Sequence, residues 1–135
     1  MDDLTRFVAG DAFASYIGIA VSDFGDGRAT ATLRIAPHHL NSAGTLHGGV
    51  IFSLADAAFS AASNSHGTLA ASIEASISYF RAVTEGTVTA EAVEVARNPK
   101  LGTYLIDVKD GSGALVAQFR GTVYRKTVAL ADVLG

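Results

Sequence analysis

The chain has 135 residues, 49% hydrophobic and 17% charged, with a net charge of -3 and no cysteine. That length fits one domain, and an isoelectric point near 5.7 gives no basic footprint of the kind a nucleic-acid binder shows. The missing cysteine removes disulfides, a thiol nucleophile and thiolate metal or iron–sulfur sites, and the charge deficit against the roughly 25% of an average soluble domain suggests a surface partly covered by other copies.

The acidic start, Met1-Asp2-Asp3, lacks the basic head and apolar core of an export signal, so a cytoplasmic chain is expected. Leu4, Phe7, Val8, Phe13, Tyr16 and Ile17 carry loosely helical spacing broken at Gly10, which predicts a short helical segment within residues 1–18. Ile19 to Phe24 is expected as a strand closed by the turn Gly25-Asp26-Gly27. Ala29, Ala31, Leu33 and Ile35 then alternate with Arg28, Thr30, Thr32 and Arg34, the period of a half-buried strand, and Pro37 ends it. His38 to Gly44 reads as a loop.

From Gly48 to about Asn64 apolar residues cover most of a helical wheel. Ser53, Asp56, Ser60 and Ser63 alone interrupt them, in one stripe about 80° wide. A helix so apolar is a core helix, about 25 Å long, with Gly67 as its stop signal. Strands follow. Ala71, Ile73, Ala75, Ile77 and Tyr79 alternate with serines and Glu74, and Thr87 to Arg97 is rich in Val and Thr with a slip near Ala92-Val93 that predicts a bulge. Tyr104, Ile106 and Val108 lead to the hairpin turn Asp110-Gly111-Ser112-Gly113, and Leu115, Ala117, Phe119, Gly121 and Val123 alternate after it. Short links imply antiparallel neighbours, and the economical solution is a single α+β domain, residues 1–135, with one long helix against a curved antiparallel sheet.

Asp56 sits in the middle of the most apolar element, where neither helix propensity nor burial explains it. Nine residues earlier, His47-Gly48-Gly49 opens the same helix. The first N–H groups of a helix have no internal partner and lie at the positive end of its dipole, and glycines let a ligand oxygen approach them. Such a donor stabilises a developing oxyanion. Gly48 and Asp56 stand about 12 Å apart along the helix, too far to act on one carbonyl. If both are catalytic, a second copy supplies one of them, through antiparallel helices about a two-fold axis.

Other constellations are weaker. His-Gly-Gly occurs in serine-esterase oxyanion loops, but no G-x-S-x-G follows. His38, His39, His47 and His66 form no compact ligand set, so no metal is expected. Walker and dinucleotide-binding loops are missing, and no run of about 18 residues is free of polar side chains, so no membrane span is expected. Arg120, Arg125 and Lys126 fit either contacts to a phosphorylated ligand or edge charges that discourage sheet association.

The run Asn41-Ser42-Ala43-Gly44-Thr45-Leu46-His47-Gly48-Gly49, then Leu54-Ala55-Asp56 and Asn64-Ser65, resembles the hotdog-fold acyl-CoA thioesterases of the PaaI (phenylacetate degradation) type. The resemblance implies a hotdog fold and hydrolysis of acyl-CoA. Asp56 would be the general base or nucleophile, supplied by the partner subunit, and Gly48 would donate its N–H to the thioester carbonyl. His47 and Asn41 would orient that turn and the substrate, with Gly49 beside them, and Ser72 would help position water. Arg97 or Lys100 would meet phosphates of coenzyme A, which is part of the substrate and not a cofactor. Homodimers, paired into tetramers, are implied. Ser72 sits awkwardly: if Ile73, Ala75, Ile77 and Tyr79 face the helix, Ser72 faces away unless the strand begins later or a bulge shifts its phase.

Two alternatives remain beside hydrolysis. One is a hotdog (3R)-hydroxyacyl dehydratase or hydratase, which would need His47 as a base near the substrate's β-carbon. The other is a non-catalytic acyl-CoA-binding module, although a pure binder gains nothing from desolvating Asp56. The acyl group is not encoded in the motif, and Phe52, Phe59, Tyr79 and Phe80 are candidates both for its pocket and for the core.

Overall fold

A helix that is apolar nearly all round needs cover on most sides, and a strongly curved sheet supplies it. The computed structural model describes residues 1–135. Two short helices come first, α1 (Asp3–Ala9) and α2 (Ala12–Ile17), each capped by an aspartate: Asp2 accepts from the Thr5 N–H at 2.7 Å and Asp11 from the Ala14 N–H at 3.0 Å. Strands β1 (Ala20–Gly25) and β2 (Arg28–Arg34) precede the long helix α3 (Gly48–Ser63). Then come β3 (Thr68–Tyr79), β4 (Thr87–Arg97), β5 (Leu101–Lys109), β6 (Leu115–Ala129) and a last short helix α4 (Leu130–Leu134). The six strands form one antiparallel sheet in the order β1-β2-β4-β5-β6-β3, wrapped around α3.

Small side chains let helix and sheet approach closely. Ala29 pairs with Ala92 and Ala31 with Ala90 across β2 and β4, all four buried beneath the alanine-rich α3. Phe59 lies directly over Gly121 of β6, where an added Cβ would come within 2.6 Å of its ring. Phe59 is fully buried between Tyr104 and Phe119 and cannot yield. Gly121→Ala is therefore expected to destabilise the fold by about 1–3 kcal/mol through overpacking. Urea unfolding reads that loss, and an unchanged midpoint would contradict the packing.

Three sequence expectations need correction. β3 and β4 are not neighbours: the link of residues 80–86 returns past the start of α3, where Val83 O accepts from Leu46 N–H at 2.8 Å and Gly86 O from Ile35 N–H at 2.9 Å. This leaves β3 at the sheet edge beside β6. The β4 irregularity lies between Glu94 and Ala96, not at Ala92-Val93, which pair regularly with Ala29 and Arg28. Within His38 to Gly44, the loop opens with a 3-10 turn at Pro37–His39, and His39 is buried, its Nδ1 accepting from Ala36 N–H and its Nε2 bonded to Ile17 O at 2.7 Å.

Candidate active site

The loop before α3 is built by Asn41. Its Oδ1 accepts from Ala43 N–H at 2.9 Å and Thr45 N–H at 3.1 Å, and its Nδ2 donates to Thr45 Oγ1 at 2.9 Å. That turn delivers His47 to the N-cap of α3. His47 Nδ1 accepts from Gly49 N–H at 2.8 Å, and His47 O accepts from Val50 and Ile51 N–H at 2.9 and 3.1 Å. In the first turn the Gly48 N–H alone finds no acceptor in the chain. It is left as a free donor at the positive end of the helix. Tyr79 OH, from β3, donates to Gly48 O at 3.0 Å and holds the turn from the other side. Burial pushes the Tyr79 hydroxyl pKa above its ordinary value, so it stays a donor. A cleft of about 380 Å³ opens here between Gly48, Ile51, Tyr79 and Arg81.

Gly49 is not a free donor like its neighbour, because the His47 ring occupies its N–H. A Cβ at position 49 would stand 3.0 Å from His47 Nδ1. Gly49→Ala is thus expected to push the ring off its cap, costing about 1 kcal/mol of stability and shifting the Gly48 donor. Thermal unfolding and kcat together read this, and wild-type values for both would show that the ring's place does not matter.

Gly49, Ser53, Asp56 and Ser60 fall within one stripe about 60° wide on α3. This stripe is the side that the sheet does not cover, so Asp56 is exposed in the isolated chain and not enclosed as its apolar surroundings in sequence imply. Neighbouring protein atoms nevertheless thin its hydration. Desolvation pushes its carboxyl above the ordinary range, and the negative charge of Asp11, at the start of α2, pushes the same way. Gly48 and Asp56 of one chain remain about 12 Å apart along the helix.

β3 resolves the Ser72 problem. Ser72 pairs with Val123 and Glu74 with Thr122, so Ile73 is an extra residue in a bulge. Opposed residues share a face, and Val123 is buried against the helix, which puts Ser72 on the helix side. The outer edge of this twelve-residue strand is unpaired; Glu74 is its one charged residue, and Ile73 and Tyr79 are 59% and 50% exposed.

At the far end of α3 a broad basin of about 750 Å³ is lined by His66, Arg97, Arg125 and Lys126 among others. Arg97 reaches Glu94 at 3.7 Å and Arg125 donates to Asn98 O at 2.7 Å. Lys100 belongs to the same hairpin but stands outside the basin's lining.

The chain as a whole has counterparts among known proteins. The family model described as the thioesterase superfamily matches residues 43–117, the stretch holding both Gly48 and Asp56. The chain belongs to the thioesterase superfamily. Among relatives of this thioesterase-superfamily chain, a protein of Archaeoglobus fulgidus is 45% identical over 85% of this chain and 75% of its own. The acyl-coenzyme A thioesterase PaaI of Escherichia coli K12 is 35% identical over 85% of this chain and 83% of its own. The solved structure of the E. coli PaaI protein superposes with a TM-score of 0.90 at 31% identity, covering 94% of this chain and 93% of that one. The hotdog architecture is thus shared.

Within this thioesterase-superfamily fold, Asn41, His47, Gly48 and Gly49 gather at the helix start. Asp56 stands at mid-helix on the uncovered stripe, Ser72 on the helix side of the edge strand, and Arg97 at the opposite end. No three His, Cys, Asp or Glu side chains gather as a metal-holding group, and no helix is long and apolar enough to cross a membrane. Sequence reasoning missed two neighbours of the site. Tyr79 was legible as a strand residue and a candidate for the acyl pocket or the core, not as the group that braces Gly48, and Asp11 drew no notice.

Proposed function

We propose that the chain hydrolyses acyl-CoA thioesters at a site shared by two copies. The observation that carries this reading is the Gly48 N–H, left without an acceptor at the start of a helix that carries the Asp56 carboxylate about 12 Å further along. The unpaired edge of β3 supports the partner: two such edges joined antiparallel about a two-fold make one continuous sheet and bring Asp56 of each chain towards Gly48 of the other. The 35% identity to the E. coli acyl-coenzyme A thioesterase supports the substrate class.

In this reading the thioester oxygen accepts from Gly48 N–H, which stabilises the charge that develops as the carbonyl carbon becomes tetrahedral. Asp56 takes a proton from water as the water oxygen bonds to that carbon, with Ser72 holding the water. Collapse of the adduct breaks the carbon–sulfur bond and releases the CoA thiolate, which takes up the proton, and the free acid. A carboxylate so placed can also attack the carbonyl itself, and water then cleaves the mixed anhydride to the same products. Asn41, His47 and Tyr79 hold the donor in place. Arg97, with Arg125 and Lys126, offers positive charge to the CoA phosphates, and Lys100 adds to that field. The chemistry needs no metal and no cofactor beyond the CoA carried in by the substrate.

Free-thiol release from a panel of straight-chain and aryl acyl-CoAs tests the reading. Turnover is expected, and hydration of crotonyl-CoA is not. His47 Nδ1 can accept from Gly49 only while unprotonated, and the ring proton then sits on Nε2, leaving no free base for dehydratase chemistry. Tight CoA-thioester binding without thiol release would instead favour a binding module.

A further inference from the structure

A second cavity, of about 320 Å³, lies between the two chain ends and the middle of α3. Its walls are Phe7 and Val8 of α1, Val21 of β1, Ala57 and Ala61 of α3, and Leu134 of α4. On α3 its lining starts at the residue after Asp56 and includes Ser60, one turn beyond Asp56 on the same uncovered stripe. Asp11 stands in its wall, the cap of α2, and its charge is felt by Asp56. The cavity and the carboxylate are therefore neighbours, on the side of Asp56 away from the start of its own helix.

We propose that this cavity receives the acyl tail of the substrate, and that Asp11 restricts it to tails without a terminal carboxylate. The proposal rests on the reading of Asp56 as the reacting carboxylate. A tail attached to a carbonyl at Asp56 has this apolar hollow within one helical turn. An apolar cavity of about 150 Å³ holds benzene, so this one has room for tails of about six to twelve carbons or an aryl group with a linker. Seven of its ten lining residues are hydrophobic, which suits such a tail, and the one charged group in the wall is an anion. A tail ending in a second carboxylate would meet Asp11 in the wall and be disfavoured by like-charge repulsion.

Binding of two non-hydrolysable thioethers, S-ethyl-CoA and S-octyl-CoA, tests the cavity by calorimetry. The octyl compound should bind wild type at least about tenfold more tightly. Ser60→Phe and Val133→Phe both fill the hollow and should shrink that advantage to about threefold or less. Val133 lies half-exposed on the terminal helix, so this second variant keeps the test alive if Ser60→Phe fails to fold. An octyl advantage unchanged in a folded variant overturns the cavity while leaving the thioesterase reading intact. Failure of wild type to bind either thioether or to release thiol overturns that reading, and the inference with it.

The charge is tested separately. Wild type should hydrolyse hexanoyl-CoA at least about tenfold better in kcat/KM than the six-carbon thioester with a terminal carboxylate. Asp11→Asn keeps the cap on α2 and should narrow that ratio severalfold. Because both thioesters meet the same Asp56, the ratio is insensitive to changes in its pKa. An unchanged ratio overturns the role given to Asp11.

Discussion

Asp56→Asn is expected to lower kcat by about 10²–10⁴-fold in a free-thiol assay at neutral pH, with KM changed little, because binding does not depend on the charge. The same substitution should raise the melting temperature. Desolvation and then Asp11 lift the Asp56 carboxyl above its ordinary value of 3.8, so the folded chain holds this proton more tightly than the unfolded one. Stability from this group is therefore present below 3.8 and is lost as pH rises through the higher folded value. At neutral pH the charged form is a cost, and Asn removes it. The acid limb of kcat/KM should stand above that of an ordinary aspartate, and Asp11→Asn should move it to lower pH. Unchanged turnover in the Asn variant would remove Asp56 from the reaction.

Gly48→Pro is the complementary test. Proline is favoured at the first position of a helix, and the extended backbone of His47 (φ -62, ψ 133) suits a residue before proline. The nearest atom to a Cβ there is the Tyr79 ring at 3.4 Å, an ordinary contact. The variant should fold, lose the one free N–H and drop kcat by about 10²–10³-fold. Mixed and reassembled with Asp56→Asn, it should regain activity. Random pairing makes about half of the dimers mixed, and each has one intact and one doubly damaged site, so about a quarter of wild-type activity is expected. No recovery, with mixed dimers shown by mass spectrometry, would place both groups' action within single chains.

What was legible in the sequence follows from how local its causes are. The bounds of α3 were readable because apolar residues run all round it and His47-Gly48 marks its start. The hairpin β5–β6 was readable from Asp110-Gly111-Ser112-Gly113, where Asp110 Oδ1 accepts from Ser112 and Ala114 N–H. The place of β3 was not, since the link of residues 80–86 is short enough for a hairpin and is diverted by partners, Leu46 and Ile35, distant in the chain. For the same reason the bulge at Ile73, which decides where Ser72 points, shows only in the pairing with β6. The exposure of Asp56 escaped the pattern too: an apolar helix reads as enclosed, whereas the sheet leaves one stripe of it open. α4 lacks a side-chain cap and spans five residues, too few for periodicity to register.

The hydrogen bond from Tyr79 to Gly48 joins the open margin of the sheet to the turn that would grip the thioester. That brace is already in place in the single chain. If two copies share the site as proposed, a newly made chain would hold its own donor ready and lack only its mate's carboxylate, so it would wake only on meeting a twin.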